Sequence, residues 1–242
     1  MSVFKKYAAI YDLIYKDKDY KKEADHIADI LYKNGDGKIK TVLNLGCGTG
    51  RHDHILAKMG YEMTGVDMSE EMVRIACKGE KSFAPTFFTG DIRTIDLKRK
   101  FDAVISMFHV MSYQNSDDDV TAVFNNVSRH LNSEGVFLFD CWYADAVLAE
   151  RPEKRVKVVE NNELLVTRHA VPVMHEDTRV VDVNYEINVT EKITGNIEIF
   201  HETHNMRYFT VKELEKFVEI AGFSVKSNYI DGWTLEMIAG KK

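Results

Sequence analysis

Apolar residues recur at helical spacing through Ala24, Ile27, Ala28 and Leu31, so residues 4–33 read as helical. The cluster Asn34-Gly35-Asp36-Gly37 stops that pattern. A regular alternation follows. Residues 41–45 form a short apolar run, residues 51–59 a helix ending at Gly60, and residues 62–66 a strand. Residues 69–78 read as a helix that Ser69 caps, with Glu70 and Glu71 favourable in its first turn. Residues 86–89 are a short strand, 101–107 an apolar strand, 117–131 a helix and 135–141 another apolar strand. Strands alternating with helices predict a parallel sheet covered on both faces.

The pattern changes after Trp142. Residues 154–209 are rich in Val, Thr, Ile and Tyr with period-two alternation, and Gly195-Asn196 marks a turn between two such runs. Antiparallel hairpins with one wet face are expected there. A helix resumes at Thr210, which with Glu213 three residues on forms a capping box, and Gly222 stops it after Ala221. Two last strands fall near residues 223–229 and 234–238, and no internal repeat or low-complexity segment occurs. The expected organisation is a single domain over 1–242. A helical cover spans 1–40, an α/β core takes 41–150 and 210–242, and residues 154–209 are a β-rich insertion too short for a confident domain of its own.

Composition narrows the function by exclusion. The chain has 242 residues, 45% hydrophobic and 29% charged, which suits a packed core. A net charge of −6 lacks the basic footprint of a protein that grips a phosphate backbone. No apolar run is long enough to span a membrane, and the opening segment lacks the apolar stretch of a signal peptide. Three widely spaced cysteines, Cys47, Cys77 and Cys141, fit a reducing cytoplasm and neither a disulfide framework nor a Cys-rich zinc site.

The chemistry concentrates in Thr41-Val42-Leu43-Asn44-Leu45-Gly46-Cys47-Gly48-Thr49-Gly50. Three glycines between a buried strand and a helix let the backbone turn sharply and let a ligand lie against it. The helix N-terminus beyond favours a negative ligand group such as a carboxylate. The spacing is GxGxG, and no Lys-Ser/Thr follows, which argues against a nucleoside-triphosphate loop. Asp67 ends the next strand, seventeen positions after Gly50, where it can accept from both hydroxyls of a ribose or, more plainly, cap the next helix. Gly90-Asp91-Ile92 follows the third strand, where a carboxylate could meet an adenine amino group or simply make a turn.

These three elements in this order resemble the class I S-adenosylmethionine-dependent methyltransferases, over roughly residues 10–145. The resemblance implies an α/β, Rossmann-like fold with a mostly parallel seven-stranded sheet, helices on both faces and, here, an antiparallel insertion after the fifth strand. It implies S-adenosyl-L-methionine as cofactor. Its methionine portion would lie on Gly46, Cys47, Gly48 and Gly50, its ribose on Asp67 and its adenine against Asp91, with Met68 and Ile92 flanking the ring and Met107 as a further cofactor-binding position. The family usually carries Asp or Glu where this chain has Asn44, so contact with the methionine ammonium there should be weaker or handled elsewhere.

A narrower resemblance is to the bacterial N-methyltransferases of nucleotide-linked amino sugars. It rests on Tyr11-Asp12-Leu13-Ile14-Tyr15, Lys18-Asp19-Tyr20, Gly48-Thr49-Gly50-Arg51-His52, Met107-Phe108, Phe139-Asp140-Cys141-Trp142-Tyr143 and Met206-Arg207-Tyr208-Phe209-Thr210. The final turn, Tyr229-Ile230-Asp231-Gly232-Trp233, lacks the arginine expected there for a sugar-nucleotide phosphate. Tyr11, Tyr15 and Tyr20 either cover the cofactor or pack an amphipathic helix. By the resemblance Tyr20 is the strongest of the three, donating to the methionine carboxylate.

A hydroxyl acceptor needs a general base, and an amine does not need one before attack. His109 is the best-placed titratable group for that work, and Tyr113 falls where the amino-sugar family has a histidine facing the acceptor. The surrounding segment is unlike Asn-Pro-Pro-Tyr, which disfavours methylation of planar amides or adenine amino groups. His201 and His204 should face opposite sides of a strand, so no metal is expected. The expected activity is methyl transfer to N or O of a small polar acceptor, a sugar or amine. The alternatives are an RNA methyltransferase, a non-catalytic cofactor-binding module and a dehydrogenase. The expected partner is the small-molecule acceptor, with no membrane, nucleic acid disfavoured and a homodimer left open.

Overall fold

The computed structural model describes residues 7–79 and 84–241 of the chain. Asp19 divides the N-terminal helical stretch. Its carboxylate accepts from Lys22 N at 2.9 Å and caps a new helix. The run predicted over 4–33 is therefore two helices, α1 (Ala8–Ile14) and α2 (Tyr20–Asn34), and its residues 4–6 lie outside the described residues. A side-chain acceptor that competes for backbone N–H groups ends one helix and starts another.

The predicted alternation holds beyond it: β1 (Thr41–Leu45), α3 (Arg51–Lys58), β2 (Glu62–Asp67), α4 (Glu70–Ala76), β3 (Thr86–Thr89), β4 (Phe101–Ser106), α5 (Asp117–His130) and β5 (Leu131–Tyr143). Ser69 caps α4 as expected, its hydroxyl accepting from Met72 N at 3.3 Å. Three aspartates open α5 and Arg129 and His130 close it, complementing the helix dipole. The strands lie parallel in the order β3-β2-β1-β4-β5. Two antiparallel strands, β11 (Thr234–Lys241) and then β10 (Phe223–Asp231), complete seven.

Each central strand alternates between two cores, because successive side chains point to opposite faces. Leu43, Val104, Phe137 and Phe139 meet α5 and the late helix on one face; Val42, Ala103, Ile105 and Leu138 meet α2 and α3 on the other. That late helix is α7 (Val211–Ile220). A helix absent from the sequence reading, α6 (Ala144–Glu150), follows β5. It buries only Ala144 and Val147, too little for a periodic signal. Thr210 caps α7 by accepting from Glu213 N at 3.2 Å, but the reciprocal half of the expected capping box does not form. The Glu213 carboxylate accepts from Arg207 and Arg179 instead, and charge-assisted bonds are the stronger ones.

The insertion is four antiparallel strands, β6 (Arg155–Glu160), β7 (Leu164–His175), β8 (Val180–Glu191) and β9 (Ile197–Phe209). Val159, Val166 and Ile187 on its inner face pack against Tyr7, Ile10 and Ile14 around α1. The outer face is exposed as expected, yet it carries Val156, Val158, Ile197 and Ile199 among its polar residues. The end of β9 pairs in parallel with β5, Trp142 opposite Tyr208 and Tyr143 opposite Phe209. This fastens the insertion at the carboxyl ends of the parallel strands. None of the described helices is long and apolar enough to cross a membrane.

Phe124 of α5 stands edge-on to Phe137 and Phe139, at ring separations of 5.6 and 5.5 Å, and is fully buried. Phe124→Ala should lower unfolding free energy by about 3–5 kcal/mol through lost burial and a residual cavity. Urea unfolding measures this, and a loss under about 1 kcal/mol would contradict the packing described.

Candidate functional site

The loop after β1 is laced to the end of β2. Gly46 N and Cys47 N both donate to Val66 O, at 2.8 and 3.0 Å, and Gly48 N donates to Asp67 Oδ2 at 2.9 Å. Gly46 has φ of +78°, and a Cβ there would come within 2.5 Å of Val110. Gly48 has φ of +55°, with nothing within 4 Å of the place a Cβ would take, so its backbone borders open space. Gly50 departs from expectation. It does not line the cavity but turns the chain into α3, where a Cβ would strike the Phe87 ring at 2.7 Å.

A cavity of about 410 Å³ opens over the carboxyl ends of β1, β2 and β4, reaching across to β9. The other expected positions line it: Tyr20, Asn44, Gly46, Cys47, Gly48, Asp67, Met68, Asp91, Ile92, Met107, His109 and Tyr113. Tyr11 and Tyr15 also face it, together with Tyr7.

Asp67 is held at both oxygens, its Oδ1 accepting from Ser69 N at 2.9 Å. Burial raises its pKa, and the two backbone bonds oppose that shift. The Tyr20 hydroxyl is buried and has no hydrogen-bond partner, although Arg51 and Lys18 lie 5.0 and 5.2 Å from its ring centre. Burial pushes its pKa up, so it remains a donor. Asp91 is engaged by Arg93, which donates Nε at 3.0 Å and Nη2 at 2.6 Å while its Nη1 reaches Asp119 at 2.5 Å. The guanidinium holds the Asp91 carboxyl below its usual range. Asn44 is buried and donates Nδ2 to Asp53 Oδ2 at 2.7 Å.

His109 and Phe108 are both left-handed, with φ of +63° and +68°. Two such residues in succession are strained. The buried Asp140 carboxylate holds them, accepting from His109 N at 2.6 Å and Phe108 N at 3.1 Å. The His109 Nδ1 is buried without a hydrogen-bond partner, 3.9 Å from Asp140 Oδ1. Tyr113 Oη lies 2.7 Å from His204 Nδ1, and His204 Nε2 lies 3.3 Å from Glu202 Oε2. Burial raises the Tyr113 pKa well above its ordinary value. His201 turns to the outer face beside Glu186, opposite His204, as strand alternation requires. Among the described residues no group of three or more His, Cys, Asp or Glu side chains could hold a metal.

Sequence reasoning missed Asp53, named Asp140 only as part of a motif, and weighed His204 only as a metal ligand, not as the partner of Tyr113 and Glu202. Asp140 had a readable signal, a lone acid at the carboxyl end of the apolar run Val136–Phe139. His204 and Glu202 had a weaker one, two polar residues two apart on a strand and so on one face.

Residues 42–135 match the family described as a methyltransferase domain. Across 93% of its length the chain is 28% identical to a Streptomyces venezuelae dTDP-3-amino-3,4,6-trideoxy-alpha-D-glucopyranose N,N-dimethyltransferase, covering 92% of that protein. The crystal structure of Streptomyces venezuelae DesVI superposes with a TM-score of 0.85 at 25% identity, over 98% of both chains. The SAM-bound structure of CalS10, an amino pentose methyltransferase from Micromonospora echinaspora, superposes with a TM-score of 0.79 at 22% identity, over 100% of this chain and 99% of that one. Fold, glycine loop and sequence similarity converge, and the chain is a class I S-adenosylmethionine-dependent methyltransferase related to the bacterial sugar and amine N,N-dimethyltransferases.

Proposed function

We propose that the enzyme methylates the nitrogen or oxygen of a small polar acceptor, an amino sugar first among them, bound between the glycine loop and the insertion. One observation carries this reading: a single cavity is lined by Gly48 and Asp67 at one end and by Tyr113, Tyr185 and His204 at the other. The relatives' names supply the sugar amine. We read the chain as one methyltransferase domain in which residues 154–209 form the acceptor side. Its three free cysteines suit a reducing cytoplasm.

The residues present fit S-adenosylmethionine. The open space beside Gly48 admits a ligand against the backbone, and the Tyr20 hydroxyl awaits an acceptor. In this reading Tyr20 donates to the methionine carboxylate, which also meets the N-terminus of α3. Asp67, already oriented by Gly48 N and Ser69 N, accepts from the ribose hydroxyls. Met68 and Ile92 flank the adenine, and Met107 borders the site. Asp91 keeps acceptor capacity for the adenine amino group, since a carboxylate offers about four lone-pair sites. The cofactor supplies a methyl group already activated on a sulfonium.

The protein's share is position and proton handling. Holding an acceptor atom in line with the methyl group is worth roughly 7–11 kcal/mol. A neutral amine needs no base before attack and sheds its proton afterwards, whereas a hydroxyl must be deprotonated as it reacts. Two routes face the cavity. His109 can take the proton on its ring, or Tyr113 can take it while passing its own to His204, which Glu202 holds from the far side.

Asp67→Ala should abolish most S-adenosylmethionine binding by calorimetry, and unchanged affinity would overturn the cofactor assignment. His109→Gln should slow turnover by about 10²–10⁴-fold at unchanged cofactor affinity if His109 is the base. If the rate instead stays and Tyr113→Phe carries that loss, the tyrosine route is the operative one. Methyl transfer to nucleotide-linked amino sugars, followed by mass spectrometry, tests the acceptor class. A strong, salt-dependent RNA affinity would favour an RNA substrate instead.

A further inference from the structure

We infer that Asp53 is a positioning residue for the amino-acid end of the cofactor: it turns the Asn44 amide so that the carbonyl oxygen, and not the NH₂ group, is presented to the methionine ammonium. The inference rests on the cofactor reading above. Asn44 lies on the cavity wall beside Gly46 and Gly48. An amide has a donor end and an acceptor end, and an ionised carboxylate only accepts. The 2.7 Å bond from Asn44 Nδ2 to Asp53 Oδ2 therefore fixes which end faces the helix. Among the described residues the side-chain hydrogen bond shown for Asn44 is the one its Nδ2 makes to Asp53, which leaves Oδ1 for a ligand. The negative charge that Asn44 itself lacks stands one side chain further back.

A purely structural role explains Asp53 poorly. It is fully buried on the first turn of α3, and its Oδ1 has no hydrogen-bond partner. Leaving a buried acceptor unpaired costs roughly 1–3 kcal/mol, and more when it is charged. A cation arriving across the amide offsets that cost.

The pair also has a sign-definite pH dependence. Burial pushes the Asp53 pKa up to about 7, the Asn44 bond and Asp53's own backbone N–H pull it down, and Asp67 adds a little to the rise. A protonated Asp53 can donate to the Asn44 carbonyl and turn the NH₂ group toward the ammonium. The ionised form is then the binding form, so affinity rises with pH toward a plateau above about 7, and binding below that point releases a proton. The charged and titratable neighbours are otherwise engaged. Asp67 at the end of β2 is held by Gly48 and Ser69, and the Cys47 thiol is pushed up by burial and then by Asp53 itself. On the α2 side Glu23 accepts from His52 at 2.7 Å and pairs with Lys18 at 3.0 Å, and Arg51 pairs with Asp12 at 3.6 Å.

Calorimetry of the intact protein tests this with two ligands, S-adenosylmethionine and 5′-methylthioadenosine, which lacks the amino-acid end. Titrations stay between about pH 5.5 and 7.5, where an α-amino group of pKa ~7.7–8.0 remains mostly protonated. S-adenosylmethionine affinity should climb several-fold across that range, and methylthioadenosine affinity should stay flat. Asp53→Asn should remove the climb and weaken S-adenosylmethionine about tenfold while sparing methylthioadenosine. Asn44→Asp with Asp53→Asn returns a carboxylate to the cavity wall and should restore the affinity, a rescue that a structural Asp53 would not show. Equal weakening of both ligands by Asp53→Asn, or no weakening, overturns the inference. If that variant does not fold, the wild-type profiles decide, and a flat S-adenosylmethionine profile overturns it. Failure of the wild type to bind either ligand sinks the cofactor reading instead.

Discussion

Val66 O receives the backbone N–H groups of both Gly46 and Cys47, and the Asp67 side chain receives that of Gly48. These bonds pull the chain leaving β1 across the end of β2 before it enters α3. Only residues that tolerate left-handed dihedrals make that crossing without strain, which is why glycines stand at 46 and 48. The rest of the site depends on the crossing. Val110, in the turn after β4, occupies the space that a side chain at Gly46 would need. The cavity opens where the parallel strands end, the general place for ligands in open α/β sheets.

A second carboxylate does for the acceptor side what Asp67 does for the loop. Asp140 at the end of β5 holds Phe108 and His109 in dihedrals that neither residue favours. The same segment carries Tyr113 to His204 on β9, and Trp142 N donates to Ser112 Oγ at 2.8 Å. From the other side Arg168 of β7 donates to Tyr7 and Tyr15 around α1. Core, N-terminal helix and insertion are thereby cross-linked around one volume. Every linking pair is polar and part-buried, where an unmade hydrogen bond costs more than it would in open water. Such links hold an acceptor's surroundings in a fixed geometry, and methyl transfer asks mainly for that.

Much of this was legible from residue order. The alternation of β1 to β5 with α3, α4 and α5 followed from apolar periodicity, and the Ser69 and Thr210 caps followed from side-chain type. The glycine loop and Asp67 could be placed because both lie within one strand–helix–strand unit. The misreadings were local patterns overruled by distant partners. Glu213 sits three residues after a cap, yet Arg207 and Arg179 draw its carboxylate away. Gly50 shares the loop's spacing, yet Phe87 and Ala76 occupy its open side.

By itself the sequence determined the element order, the caps and the glycine loop, because those depend on hydrogen bonds and apolar contacts between near neighbours. The pairing of Asn44 with Asp53, of Asp140 with Phe108 and His109, and of Tyr113 with His204 was decided only in the tertiary structure. Those partners meet because the helices dock on the sheet, β5 lies beside β4, and the insertion joins β5 through β9. A polar residue's identity reveals that it needs a partner, and the packing of strands and helices chooses which one it gets.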